Sequence, residues 1–214
     1  MRRTVSTLLW LEAALATAGF SLLAVRVYMQ GVSWQQFIYP TWRDTALGVL
    51  LTAILLLLAF AGAKASERWE AWAFLRRWML QVYPLLSHIR AREMVLLSII
   101  AGFGEEALFR GVIQPLLGIW LASLTFAVAH VLRWDRDGVK MTAFYMPFGL
   151  LLGGLYAWTQ NLWGSCVAHT LYDLIALWWA RRAYHQASVP TEVCCLNPEE
   201  ESRASLQPRT LGPP

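Results

Sequence analysis

Six ionisable side chains stand inside runs of apolar residues: Glu105, Glu106 and Arg110 in one run, His130 at the end of the next, and His169 with Asp173 in a third. Within a bilayer each such group costs about 2.5–3.5 kcal/mol on insertion scales, so each needs a reason to be there. Their spacing is ordered. Glu106 and Arg110 are four apart, on one helix face, with the acid on the N-terminal side, the favourable sense for an ion pair. His169 and Asp173 are also four apart, as are Phe126 and His130. Glu105 precedes Glu106 directly and so projects about 100° away around the helix, out of reach of Arg110. The two acids therefore divide. Glu106 is neutralised by Arg110 as a structural pair, while Glu105 is a carboxylate with no nearby cation in a low-dielectric setting. Such a carboxylate beside a histidine is what general-base activation of water requires. A second histidine with a polar partner one turn on can steady a developing oxyanion. These residue types at these spacings suit hydrolysis.

The elements that position them are membrane helices. Of 214 residues 57% are hydrophobic and 15% charged, with a mean hydropathy of +0.42; a soluble domain carries about 25% charged residues. That balance excludes a soluble Rossmann or TIM-barrel enzyme. The three cysteines, Cys166 in an apolar run and Cys194 and Cys195 in the tail, cannot build a disulfide framework or a zinc site of recognisable spacing. The net charge of +4 lies between apolar runs, where it reads as topology rather than nucleic-acid binding. Runs at about 8–25, 45–63, 94–110, 116–132, 141–158 and 162–180 have the length that crosses a bilayer. The expected fold is all-α: a polytopic bundle of about six spans plus an interfacial amphipathic helix. The start resembles a signal peptide, but Glu12 interrupts its apolar stretch, so a retained first span is expected. Glu12 and Arg26 have no assigned partner beyond helix contact or snorkelling.

The chain divides into four segments: 1–66 with two spans, 67–92 as an amphipathic linker helix, 93–184 as the catalytic core, and 185–214 as a disordered, proline-rich tail. In the linker, Trp69, Trp72, Leu75, Met79 and Val82 recur at helical steps, with Glu67, Glu70, Arg77 and Gln81 on another face, as suits a helix in the headgroup region. Lys and Arg gather before the first span, between the second and third, after the fourth and after the sixth, which predicts cytoplasmic termini in a multi-pass protein of a bacterial inner membrane.

Three stretches carry a family resemblance. Glu105-Glu106-Ala107-Leu108-Phe109-Arg110, Phe126 through His130, and His169 through Asp173 resemble, in order, the EExxxR, FxxxH and HxxxN/D motifs of the CAAX protease and bacteriocin-processing family. The resemblance covers roughly 94–182. It implies a glutamic-type intramembrane endopeptidase, similar to type II CAAX prenyl endopeptidases, without a metal or other cofactor, acting on a membrane-anchored or lipidated peptide. By the same resemblance Glu105 and His130 activate water, His169 and position 173 stabilise the oxyanion, Glu106 and Arg110 form the structural pair, and Phe126 supports them. The departure is Asp173, where eukaryotic members resemble one another in carrying Asn; an ionised Asp accepts hydrogen bonds and cannot donate one. Two other readings stand beside this one. Polar pairs also hold membrane helices together, as in a non-catalytic scaffold or bacteriocin self-immunity protein. Two histidines and two carboxylates could also hold zinc, although no HExxH is present. No nucleic-acid partner is expected, and oligomeric state is open.

Overall fold

The structure, a computed structural model, describes residues 2–31, 33–86, 89–131 and 133–187. The tail from 188 onward, with Cys194 and Cys195, and His88 within the expected linker lie outside the described residues. Every regular element among those residues is helical: α1 (Arg2–Gln30), α2 (Trp42–Arg68), α3 (Ala73–Leu86), α4 (Ala91–Leu108), α5 (Gln114–Ala129), α6 (Arg136–Thr159) and α7 (Leu162–Ala187). A single π turn, Phe109–Ile113, joins α4 to α5. The chain is an all-α membrane bundle. Three stretches are long and apolar enough to cross a bilayer: Val5–Gln30, Trp42–Arg68 and Ala91–Ala129. At about 1.5 Å per residue α6 and α7 have the length too, about 36 and 39 Å.

The third stretch bends back on itself. At Gly118 the backbone leaves the helical region, with φ 81° and ψ 167°, a conformation open almost only to glycine. The expected full fourth span at 116–132 is thereby corrected. Beyond the bend lies a half-length helix, residues 119–129, about 16 Å long. This shortening sets the depth of the site. Glu105 stands about 21 Å along the helix from Ala91, while the bend is about 41 Å along and His130 returns about 18 Å from it, to within about 2 Å of the same depth. A full-length fourth span would have carried His130 past Glu105 to the membrane face; a half-length one brings the two level.

α4 is clasped by α1 and α7. A Cβ at Gly104 would lie 2.3 Å from the Ala16 Cβ, and one at Gly102 would lie 2.2 Å from Thr170 Oγ1, so both glycines are there for close approach. α1 runs parallel to α4: Val5 packs with Met94 near one end and Leu23 with Ala107 further along. At the far end of the bundle Thr41 caps α2, and the buried Asp44 accepts a 2.7 Å hydrogen bond from Asn161 Nδ2, which ties α2 to the start of α7. Thr52 Oγ1 donates to Ala168 O, the residue before His169.

The linker differs from the single helix expected. Glu67 belongs to the last turn of α2, Trp69 is extended, Glu70–Trp72 form a short 3-10 turn, and α3 begins only at Ala73. Its buried face is Phe74 and Leu75, with Trp78 against Tyr145; Trp69 and Trp72 are exposed. Arg77 makes a two-pronged ion pair with Asp137 at the start of α6, at 2.7 and 2.9 Å. That hydrogen bond holds the Asp137 carboxyl below its ordinary value of 3.8.

Candidate active site

Glu106 is the centre of the polar core. It is 0% exposed, and its Oε1 accepts hydrogen bonds from Arg110 Nη1 and from His169 Nδ1, both at 2.9 Å. Arg110, 1% exposed, spends a second N–H on the carbonyl of Gly149 in α6 and lies over the Phe126 ring at 4.6 Å. One guanidinium thus fastens α4, α5 and α6 together, and Glu106 adds α7 through His169. The i, i+4 pair has the partner expected of it. The hydrogen bond from His169 to Glu106 is one that motif spacing does not predict. His169 and Asp173, expected to bond one turn apart, are 3.6 Å apart at Nε2 and Oδ2, beyond a good hydrogen bond.

Arg110 lies in the π turn, and Pro115 accounts for that turn. Proline has no N–H to give the carbonyl four residues back, here Gly111, and its ring crowds that carbonyl, so the helix widens locally. The freed Gly111 oxygen accepts a hydrogen bond from Arg26 Nη1 of α1. Arg26 therefore has a partner, which sequence spacing could not supply.

Glu105 lies on the other side of α4, 6% exposed. Its Oε2 is buried, has no hydrogen-bond partner, and faces His130 Nε2 at 3.9 Å. His130 Nδ1 is 2.8 Å from the Phe126 carbonyl oxygen. A carbonyl only accepts, so the Nδ1 nitrogen carries a proton and Nε2 is the nitrogen turned toward Glu105. The Phe126 ring lies 4.5 Å from the His130 ring, 5.7 Å from that of His169 and 5.3 Å from Phe109. It fixes both histidines at once, besides carrying Arg110. Tyr145 stacks on the other face of this cluster, 4.7 Å from the His130 ring. No motif drew attention to Tyr145.

A cavity of about 50 Å³ is lined by His130, His169, Asp173, Tyr145 and Tyr172, with Leu55, Phe126, Phe148 and Leu152. It has room for water and a wall divided between polar and apolar. Among the described residues no group of three His, Cys, Asp or Glu is arranged to hold a metal ion.

Residues 88–175 match the family described as "Type II CAAX prenyl endopeptidase Rce1-like". This segment resembles that family. The Rce1-like segment contains all six polar site residues and Phe126, and it leaves out α1, α2 and α3. The chain is also 39% identical over 85 residues to the uncharacterized protein YpbD of Bacillus subtilis, a stretch that is 39% of this chain and 43% of that protein. The chain thus spans less than half the length of that curated relative. No solved structure matches the chain.

Proposed function

We propose that this chain is an intramembrane endopeptidase of glutamic type, hydrolysing a peptide bond near the end of a membrane-anchored or lipidated substrate, with both termini cytoplasmic. The observation that carries the reading is the unpaired Glu105 Oε2 facing His130 Nε2 across 3.9 Å. With His130 in its neutral Nδ1–H form both atoms are acceptors, and one water can donate a hydrogen to each. Held that way, its oxygen lone pairs point away from both and toward a carbonyl in the neighbouring cavity.

In the reaction the water oxygen attacks the scissile carbonyl carbon and its proton passes to Glu105. The carbonyl oxygen becomes the oxyanion, facing His169 Nε2, the nitrogen left over once Nδ1–H is given to Glu106. His169 donates in its imidazolium form, with a carboxylate on either side to balance the charge. The C–N bond then breaks and the proton on Glu105 passes to the leaving nitrogen. Asp173 serves by orienting His169 and balancing its charge rather than by donating to the oxyanion. Glu106 and Arg110 hold the helices in register and anchor His169.

The test compares membrane-protein C-termini by mass spectrometry in cells carrying wild-type or Glu105→Gln protein. New C-termini confined to the wild type are expected. Identical C-termini from the two cell lines would leave the scaffold or self-immunity reading.

A further inference from the structure

Beneath Glu105, three helices meet at a layer whose polar groups have no partners. At the start of α4 the junction is apolar: Val5 and Leu9 of α1, Met94 of α4, and Leu174 and Leu177 of α7 pack together. One turn nearer the site, each helix presents a polar residue instead: Glu12 on α1, Ser98 on α4 and Thr170 on α7. Ser98 is 0% exposed and shares the face of α4 that leads through Ala101 to Glu105. Glu12 Oε2, Ser98 Oγ, Thr170 Oγ1 and Glu105 Oε2 are all buried and make no hydrogen bond. Glu12 lies on α1 between Leu9, which packs with Met94, and Ala16, which packs against Gly104, so it faces the same stretch of α4 as Ser98 and Glu105.

The two hydroxyls behave unlike their counterparts elsewhere. Thr17, Thr52, Thr125, Thr142 and Thr159 each donate to the carbonyl four residues back, the usual refuge of a hydroxyl in an apolar helix. Ser98 and Thr170 do not. Buried polar atoms left unpaired by protein are paired by bound water, and hydrolysis consumes one water per turnover.

We propose that Glu12, Ser98 and Thr170 hold a cluster of bound water beneath Glu105 that replaces the molecule consumed in each cycle. Glu12 is its positioning residue, supplied by a helix outside the Rce1-like segment. The replacement role rests on the hydrolytic reading above; the water itself does not. No net proton or electron is required. The water's oxygen ends in the new carboxylate, and its hydrogens are shared between that group and the released amine.

Two measurements test this. The first is a high-resolution density map of the wild-type protein and of Glu105→Gln in nanodiscs. Ordered water within hydrogen-bond distance of Ser98 Oγ, Thr170 Oγ1 and Glu12 Oε2 is expected in both, and empty density there overturns the proposal whether or not the protein cleaves anything. The second is a kinetic comparison on a substrate recovered from the C-terminal survey. Glu12→Leu, and Ser98→Ala with Thr170→Val, should lower kcat about tenfold at unchanged KM, a loss smaller than the about 10²-fold or more due to a general base. Glu12→Gln, which still bonds water, should restore most of kcat. Wild-type kcat in Glu12→Leu, or Glu12→Gln as slow as Glu12→Leu, refutes the water-holding role. Full activity in Glu105→Gln would instead overturn the hydrolytic reading, with the density result still standing by itself.

Discussion

Replacing Glu106 by Gln removes a negative charge on which two side chains converge, Arg110 and His169, each at 2.9 Å. Arg110 is 1% exposed, so its guanidinium cannot turn to water for compensation. Breaking a buried pair from one side costs about 3–5 kcal/mol, because the other charge is stranded. The glutamine oxygen still accepts hydrogen bonds, which places the expected loss at the lower end, about 3 kcal/mol. For a chain of this size about 2–4 °C of melting temperature goes with each kcal/mol, so a fall of about 6–12 °C is expected. Glu105→Gln is the internal control. The Glu105 Oε2 has no partner, so no pair is broken and the midpoint should stay within about 2 °C. Glu106→Gln combined with Arg110→Met should regain at least half of the loss, since no unpaired charge remains. Thermal unfolding of the purified variants, followed by the fluorescence of the 12 tryptophans, reads all four proteins in one assay. If Glu106→Gln melts with the wild type, or the double variant melts no higher than the single one, Glu106 is not the counter-charge that holds this core together.

Gly118→Ala should cost about 1–3 kcal/mol, because alanine is strained at φ 81° and ψ 167°, and it should depress cleavage further by moving His130 relative to Glu105; melting and turnover measured side by side check this. Arg77 depresses the Asp137 carboxyl, so this pair stabilises the fold above the ordinary Asp value of 3.8 and the benefit is lost as pH falls through the lower folded value. Proteolytic release of α3 should therefore be slower in wild type than in Asp137→Asn at neutral pH, with the two converging in acid. Single cysteines placed at Arg136 and Gln160, the two ends of α6, should label from opposite sides of the membrane; labelling from one side alone would overturn the topology.

Some of the site could be read from the chain because helix geometry is local. The pairing of Glu106 with Arg110 follows from a four-residue step, and so does the projection of Glu105 away from them. The fold class follows equally directly from the length of the apolar runs. What crosses between helices was not legible. The hydrogen bond from His169 to Glu106 joins residues 63 apart in sequence, and nothing in either motif's spacing favours it over Asp173. The half-length fourth helix was hidden because its residues are as apolar as those of a full span. Gly118, three residues after Pro115, was the available signal, but a glycine in a membrane run more often marks close packing than a turn. Glu12 and Arg26 read as isolated polar residues because their neighbours come from α4, α7 and the π turn, far away in the chain.

The contact between Arg26 and the Gly111 carbonyl has a bearing on protein engineering. The helix that carries Glu105, Glu106 and Arg110 contains a backbone oxygen that its own proline cannot satisfy, and the donor comes from outside the Rce1-like segment. Residues 88–175 are therefore not a transplantable cassette. A chimera that fuses them to foreign leading spans must carry a guanidinium at the equivalent depth, or its reactive centre is built on a helix with an unanswered acceptor in hydrocarbon. Grafts sharing only the three motifs should fail to assemble, and those that also import Arg26 with its helix register should succeed.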